Sequence, residues 1–356
     1  MSTIDKYISE NNNEKAIEEC INKNLYYLAF LLSKATKINK FDTDIYSKLN
    51  DSLPEHLRKN ILFSNKIRVL LTCSWTSSDE LCKLWSKMSK NKNCWNEIQI
   101  VSSEPADYYC VINRPSDNNM ILDKKKTILF RMEPNMEQDV RQWGPEWCNP
   151  NINDFLFVGN HNLHLNNLEW HLSKNYNELS NDIIEKNDSL SNILTTILSD
   201  KYIDKGHIKR VDFVKYLEKK GVNVDVYGSN KFLWKNYKGS LPYHEKDDSL
   251  FPYKYSFNCE NHSIKNYCTE KLVDGILAET LVFYSGCYNI KDYIDEKAFV
   301  YLELSNFEQD YQLIKKAIEE DWWTQRLPYI KEAKNKILNE LQFFPRLENI
   351  IKKNDL

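Results

Sequence analysis

Short apolar runs alternate with amphipathic stretches along most of the chain. Residues 66–75 form an apolar, β-branched run that predicts a buried strand, and residues 77–79 follow it as a polar cap. Residues 80–88 then have helical spacing. This order of strand, cap and helix is typical of the first βα unit of a doubly wound fold. Further strand-like runs lie at 97–101, 108–112, 127–131 and 154–158.

The same alternation starts again near Leu190. An amphipathic helix is predicted over 207–220, where Gly221 is a suitable residue to end it. A second helix is predicted over 269–279. The strands predicted around these helices are 194–198, 224–227, 253–258, 281–284 and 299–304. Alternation in both halves predicts an α/β protein in which two Rossmann-like domains face a cleft.

We divide the chain into four parts from these patterns. Residues 1–60 are predicted to be a helical extension, with Asn12 or Asn13 as a helix cap. Residues 61–190 and 191–306 are the two predicted Rossmann-like domains. Residues 307–356 are predicted to be a helical C-terminal extension, with aromatic residues as packing anchors.

Composition excludes some classes of function. The 356 residues carry 48 Lys and Arg against 51 Asp and Glu, a net charge of −3, so the basic field of a nucleic-acid binder is missing. The nine cysteines include no CxxC pair, which argues against a zinc ribbon and favours a reduced, cytoplasmic chain. No secretory signal and no apolar run of membrane-spanning length is expected.

One segment carries a specific resemblance. Residues 253–284 read YKYSFNCENHSIKNYCTEKLVDGILAETLVFY, with eight residues between Asn261 and Glu270. This resembles the donor-site motif of the α-1,3-fucosyltransferases, a family of glycosyltransferases related to family 10. The matching residues are Tyr253, Lys254, Glu260, Asn261, Tyr267, Thr269, Glu270, Lys271 and Leu272.

Weaker matches lie upstream of this segment. Residues 210–217 (RVDFVKYL) resemble the family's arginine-containing helix, and residues 224–228 (VDVYG) its next strand. Residues 130–135 (FRMEPN) stand where the family has a strand followed by a glutamate base, although Met132 replaces a small residue there. The resemblance is firm over about 200–305, and we place the N-terminal 60 residues and the C-terminal helices outside it.

The resemblance implies an inverting GT-B transferase that uses GDP-fucose as co-substrate. The first domain would bind a glycan or glycoprotein acceptor, and the second the nucleotide-sugar donor. Two alternatives stay open: the same fold could use another GDP- or UDP-sugar, or the chain could bind glycans or nucleotide-sugars without catalysis. No other cofactor is expected.

Transfer of a sugar from a nucleoside diphosphate leaves negative charge on the pyrophosphate, which must be stabilised. Metal-dependent transferases use a DxD motif, and the only one here is Asp42-Thr43-Asp44, in the helical extension. We therefore expect no metal, with Lys271 in the first turn of a helix and Arg210 as the cations instead. The alternative for both is an ordinary solvated surface cation.

Other donor-site candidates also have structural alternatives. Glu270 would contact ribose and sugar hydroxyls by resemblance, or stabilise only its own helix dipole. Asn261 could line the pocket or cap its own turn, and Tyr267 could contact the nucleotide or pack in the core. Lys254 completes the predicted donor-binding set through its place in the motif.

Glu133 is the predicted catalytic base. It follows an apolar strand and should emerge at the strand's carboxyl end, where parallel sheets bind ligands. Glu137, one helical turn later, is the fallback, and an ordinary loop carboxylate is the alternative. A base opposite the leaving group implies inversion at the anomeric carbon.

For two further groups of residues, the histidines around Glu169 and three tryptophans, we prefer ordinary structural roles. His161, His164 and His171 lie close in sequence around Glu169, but without the spacing of a zinc protease, so a polar loop is preferred over zinc. Trp143, Trp147 and Trp170 are assigned to packing rather than sugar binding. A peripheral membrane contact of the C-terminal helices stays open, with a solvated face as the alternative for Lys331, Lys334 and Lys336.

Overall fold

The computed structural model describes most of the chain. The described residues are 3–36, 48–49, 52, 66–104, 106–117, 120, 122–134, 143–189 and 194–354. The Asp42-Thr43-Asp44 motif and Glu137 lie outside them.

The N-terminal part is helical, as predicted. It contains α1 (Thr3–Ser9), α2 (Asn13–Asn22) and α3 (Tyr26–Thr36). The side chain of Asn12 accepts a hydrogen bond from the backbone N–H of Lys15 (3.4 Å) and caps α2. These helices enclose a small apolar core of their own, built around Ile17, Cys20, Ala29 and Phe30.

The first sheet has six strands in the order β2-β3-β1-β4-β5-β6, and all neighbours except the antiparallel edge strand β2 are parallel. The helices that accompany it in the described ranges are α4 (Ser78–Ser86), α5 (Pro145–Cys148) and α6 (Tyr176–Asn181). The strands are β1 (Ile67–Cys73), β2 (Cys94–Trp95), β3 (Ile98–Val101), β4 (Tyr108–Ile112), β5 (Thr127–Phe130) and β6 (Phe157–Gly159).

The second sheet is parallel throughout, in the order β12-β11-β10-β7-β8-β9. It is covered by helices that include α7 (Lys205–Lys219) and α8 (Glu270–Leu277). The strands are β7 (Leu194–Leu198), β8 (Val224–Gly228), β9 (Tyr237–Gly239), β10 (Tyr255–Cys259), β11 (Leu281–Ser285) and β12 (Phe299–Tyr301). With β7 taken as the first strand, this is the strand order of dinucleotide-binding Rossmann folds. Successive strands are added on one side of β7 up to β9 and on its other side from β10 onward, so the order reverses between β7 and β10.

The C-terminal helices connect the two sheets. They are α9 (Phe307–Glu319), α10 (Trp322–Lys336), a π-helical turn (Ile337–Leu341) and α11 (Phe343–Asn354). Whereas α9 packs on α7, the ring of Phe343 at the start of α11 lies 4.6 Å from that of Trp85 in α4 and 6.2 Å from that of Phe130 in β5. The chain therefore returns to the first domain.

The C-terminal lysines are not a uniform solvated face. Lys334 is only 6 % exposed, and its Nζ lies 2.8 Å from Oε1 of Glu279. Lys331 is exposed and lies 3.8 Å from the same carboxylate. No helix among the described residues has both the length and the apolar character needed to cross a bilayer.

The predicted strands and helices agree with the structure in type, and their ends shift by a few residues. The strand predicted at 154–158 is observed at Phe157–Gly159, and the one predicted at 299–304 ends at Tyr301. The short strands β2 and β9 were not predicted. The predicted α/β architecture of two Rossmann-like domains is confirmed.

Candidate functional site

A cavity of about 250 Å³ opens at the carboxyl ends of β7 and β10. This is the point where the strand order of the second sheet reverses, and open α/β sheets bind ligands in the crevice there. The residues around it include four cations and two carboxylates: Lys201, Arg210, Lys246, Lys271, Glu270 and Asp274. Polar and apolar residues of the strand ends complete the lining: Thr196, Ile197, Leu198, Ser199, His207, Leu250, Asn258, Cys259 and Asn261.

The N-terminal end of α7 is pressed against the loop that follows β10. The backbone N–H of Gly206 donates to the carbonyl of Asn261 (3.1 Å). A Cβ at Gly206 would lie 2.1 Å from the carbonyl oxygen of Glu260, so only glycine permits this approach. The first turn of α7 is therefore fixed at the wall of the pocket.

Arg210 is buried in this wall without an ion-pair partner among the described residues. Its guanidinium donates to the side chains of Asn261 (3.1 Å) and Ser199 (2.9 Å) and to the carbonyl of Cys259 (3.5 Å), all neutral acceptors. Its Nε is buried and has no partner within the described chain. Buried charges in proteins are normally paired, so this cation lacks an anion.

The N-terminal end of α8 forms the facing wall. Thr269 is the N-cap of α8, and its N–H (2.8 Å) and hydroxyl (2.7 Å) both donate to the fully buried carboxylate of Glu260. Lys271 Nζ lies 3.4 Å from the same carboxylate and donates to the hydroxyl of Thr269 (3.1 Å). Glu260 therefore holds both the cap and the lysine of the motif in place.

Glu270 lies between two lysines. Its Oε1 is 3.2 Å from Lys271 Nζ and 3.3 Å from Lys246 Nζ. Lys246 also contacts Oδ2 of the buried Asp274 (2.8 Å), one turn further along α8. Burial opposes the charge on Glu270, yet Lys271 and Lys246 hold its pKa well below the usual range. Burial likewise opposes the charge on Lys271, but Glu270 and Glu260 raise its pKa. The pocket is thus a permanently charged network.

Glu133 lies at the carboxyl end of β5, in the first domain. The side chain of Asn113, just after β4, accepts hydrogen bonds from the N–H groups of Met132 (2.7 Å) and Glu133 (3.3 Å). The Glu133 residue is exposed, but the protein around its carboxyl group raises its pKa by desolvation, with Lys271 acting in the opposite direction and Glu270 adding to the rise. The charges of the pocket in the second domain therefore act on Glu133.

Tyr267 and Lys254 do not line the pocket. Tyr267 is buried, with its ring edge-on to that of His161 (5.3 Å). Lys254 precedes β10 at its amino end, where it pairs with Asp188 (2.7 Å) and lies over the ring of Trp323 (5.1 Å). Because ligands bind at the carboxyl end of the sheet, Lys254 is too far along its strand to contact a donor there, which corrects that prediction.

The three histidines around Glu169 do not converge on one point. His161 packs on Tyr267, His164 on Phe157 (4.9 Å) and His171 on His244 (3.9 Å). Nowhere in the described ranges do three or more His, Cys, Asp or Glu side chains come together as a metal site. Trp170 is a core residue, 1 % exposed.

Several pocket residues were missed by sequence reasoning. Lys246, Ser199 and His207 reach the cavity from three separate loops and turns, outside the motif at 253–284. Ser199 directly follows β7, so its place after a predicted strand is the signal that could have identified it as a pocket residue. Nothing in the local sequence marks Lys246, because its partners on α8 are 24 and 28 residues away.

Comparison with known families completes the assignment. The family model described as glycosyltransferase family 10 (fucosyltransferase), C-terminal, matches residues 191–351. With two Rossmann-like domains facing a cleft, this defines a glycosyltransferase of GT-B type. Residues 191–351 match this family model, so the resemblance to the α-1,3-fucosyltransferases is confirmed over this part of the chain. The match also includes the C-terminal helices to residue 351, which sequence reasoning had left outside.

Solved structures with similar folds include an α1,3-fucosyltransferase with GDP, at 14 % identity and a TM-score of 0.44, covering 74 % of this chain and 81 % of that one. Another structure of an α1,3-fucosyltransferase has 16 % identity and a TM-score of 0.44, with coverage of 82 % and 84 %. A glycosyltransferase from Rickettsia africae has 12 % identity and a TM-score of 0.47, with coverage of 89 % and 82 %. No curated protein sequence matches the chain.

Proposed function

We propose that the chain transfers fucose from GDP-fucose to a glycan hydroxyl, with inversion at the anomeric carbon and without a metal ion. The observation that carries this proposal is Arg210, a buried guanidinium with neutral partners only, in a pocket with three further cations. The bound donor supplies the missing anion, because its diphosphate places negative charge between Arg210 and Lys271.

The diphosphate needs stabilisation most when the sugar leaves. The bond between the anomeric carbon and the phosphate oxygen breaks, and its electron pair stays on GDP. Lys271, Arg210 and the N-terminal end of α8 are fixed in advance around this position, so they need no reorganisation as charge develops. These groups take the part that Mn²⁺ plays in metal-dependent transferases.

Glu133 supports the other half of the reaction. The acceptor hydroxyl gives its proton to the Glu133 carboxylate as its oxygen bonds to the anomeric carbon. A carboxylate with a raised pKa is a stronger base than an ordinary glutamate, which suits this task near neutral pH. Attack from the Glu133 side, opposite the departing GDP, inverts the anomeric centre.

The choice of fucose is supported by the family 10 match over residues 191–351, since that family is described as fucosyltransferase. The choice of guanine follows from the resemblance of the motif at 253–284 to the α-1,3-fucosyltransferases. The pocket chemistry fits the diphosphate common to all nucleotide-sugars, so a different GDP- or UDP-sugar is the alternative that the experiment must separate.

The test is mass spectrometry of products formed from donor and acceptor pairs. The purified protein is incubated in EDTA with GDP-fucose, GDP-mannose, UDP-glucose or UDP-N-acetylglucosamine and a panel of oligosaccharides. We expect a fucosylated product with GDP-fucose, formed at least about 100-fold more slowly with Glu133→Gln. A product formed from a UDP-sugar alone overturns the proposed donor, and donor binding without transfer to any acceptor overturns the proposed reaction.

A further inference from the structure

The loop that follows β6 in the first domain binds the backbone around Glu133. Nε2 of His161 lies 3.3 Å from the carbonyl oxygen of Glu133, and a carbonyl can only accept, so this nitrogen donates. The side chain of Asn166 donates to the carbonyl of Met132, one residue earlier (3.4 Å). Asn113 binds the N–H groups of the same two residues, and the loop binds their carbonyls. The position of the proposed base therefore depends on this loop.

Asn266 of the second domain holds that loop at two points. Its side-chain Nδ2 donates to the carbonyl of His161 (2.8 Å), and its own carbonyl accepts from the N–H of Asn166 (2.7 Å). Asn266 is buried, so water does not compete for these bonds. The ring of the next residue, Tyr267, lies edge-on to that of His161 (5.3 Å). Asn266 thus contacts both residues that bind the carbonyls around Glu133.

The other hydrogen bonds of Asn266 stay within the second domain. Its Oδ1 accepts from Nδ2 of Asn289 (2.9 Å) and from the hydroxyl of Tyr293 (2.7 Å), and its N–H donates to Oδ1 of Asn289 (2.8 Å). Its backbone has a φ of +59°, a left-handed conformation in which asparagine is more common than most residues. Asn266 is therefore fixed in the loop that leads to α8 and Lys271.

We propose that Asn266 is a positioning residue, which fixes Glu133 relative to the donor pocket by holding the loop after β6. This inference rests on the proposed function, because it needs Glu133 as the base and a donor beside Lys271. The reacting groups belong to two domains, and a misplacement of about 1 Å can slow a reaction by about 100-fold. Asn266 does not line the cavity, so GDP binding should not depend on it.

Two substitutions remove the bond to His161 and keep a residue that tolerates positive φ. Asn266→Asp keeps the oxygen that accepts from Asn289 and Tyr293, whereas Asn266→Gly removes the whole side chain. Single-turnover transfer from saturating GDP-fucose, to the acceptor found by product screening, is measured together with calorimetric GDP affinity. The temperature is one at which thermal unfolding shows each variant folded. We expect transfer about 10- to 100-fold slower in both variants, with GDP affinity within about twofold of the wild type.

Tyr293→Phe is the matched control, since it removes a hydrogen bond of Asn266 within the second domain and leaves the bond to His161. Its transfer rate should stay within about twofold of the wild type, even with a lower unfolding temperature. Wild-type transfer in either Asn266 variant overturns the proposed role. An equal slowing in Tyr293→Phe, or a matching loss of GDP affinity, overturns it as well. Absence of transfer by the wild type overturns the proposed function instead.

Discussion

The two sides of the cleft are built differently. The side that we propose binds the donor links Lys246, Glu270, Lys271 and Glu260 in one chain of ion pairs, with distances of 3.2 to 3.4 Å. The side that we propose binds the acceptor carries Glu133, in a backbone turn held by hydrogen bonds from the N–H groups of Met132 and Glu133 to the neutral side chain of Asn113.

This difference assigns different physical tasks to the two sides. Fixed opposite charges keep the donor groups ionised over a wide pH range, as the lowered pKa of Glu270 and the raised pKa of Lys271 indicate. Glu133 has no ion pair among the described residues, and desolvation raises its pKa, so its protonation responds to the surroundings. The donor side provides permanent charge, and the acceptor side provides a group that exchanges a proton.

The largest expected effect is on the transfer rate of a Glu133 variant, with GDP binding left unchanged. Glu133→Gln removes the proton acceptor and leaves the donor network intact, so the transfer rate should fall by about 10²- to 10⁴-fold. GDP affinity should stay within about twofold of the wild type. Single-turnover rates and calorimetry check the two halves, and a large loss of GDP affinity would place Glu133 in the donor site.

Lys271→Met should break the donor side in two ways. It removes a phosphate-binding cation, which should weaken GDP binding by about 100-fold. It also leaves the buried Glu260 carboxylate without its cation, a change that typically costs about 3–5 kcal/mol of stability. Calorimetry and thermal unfolding measure both. The exposed Lys265, on the loop before α8, provides the control, since Lys265→Met should change neither quantity.

Arg210→Lys tests whether geometry matters beyond charge. Lysine keeps the positive charge but loses the planar fork that contacts Asn261 and Ser199. We expect GDP affinity about tenfold weaker, a smaller loss than in Lys271→Met. An unchanged affinity would show that Arg210 acts only as a distant charge.

The smallest expected effect is a pH shift on the acceptor side. The rate should fall as the pH drops through the raised pKa of Glu133, because only the carboxylate accepts a proton, so the acid limb lies above the ordinary glutamate value. Asn113→Asp keeps an oxygen acceptor and adds a negative charge beside Glu133. It should move this limb upward by about half a unit to one unit. Asn113→Ala should lower the rate without that upward shift.

The sequence predicts the donor side better than the acceptor side for a physical reason. Glu260, Thr269 and Lys271 interact within one continuous strand-loop-helix unit. Their spacing in the sequence is therefore enough to predict that they lie together. Lys254 belongs to the same motif, but it lies at the amino end of β10, and motif membership does not indicate which end of a strand a residue occupies.

Long-range packing is the part that local patterns cannot predict. Gln342 donates to the carbonyl of Met88 (3.2 Å) across 254 residues and forms a bridge with Leu168. Helical periodicity predicts α11, but it does not show that α11 packs against the first sheet. Strands of two or three residues, such as β2 and β9, are likewise too short for a recognisable period.

The central claim is that fixed cations and the start of a helix, rather than a metal ion, hold the nucleotide diphosphate. Calorimetric titration of the wild type with GDP, once in EDTA and once with Mn²⁺, tests it most directly. The account predicts the same affinity in both buffers and a loss in Lys271→Met and Arg210→Lys in both. GDP binding that appears only with Mn²⁺ would contradict it.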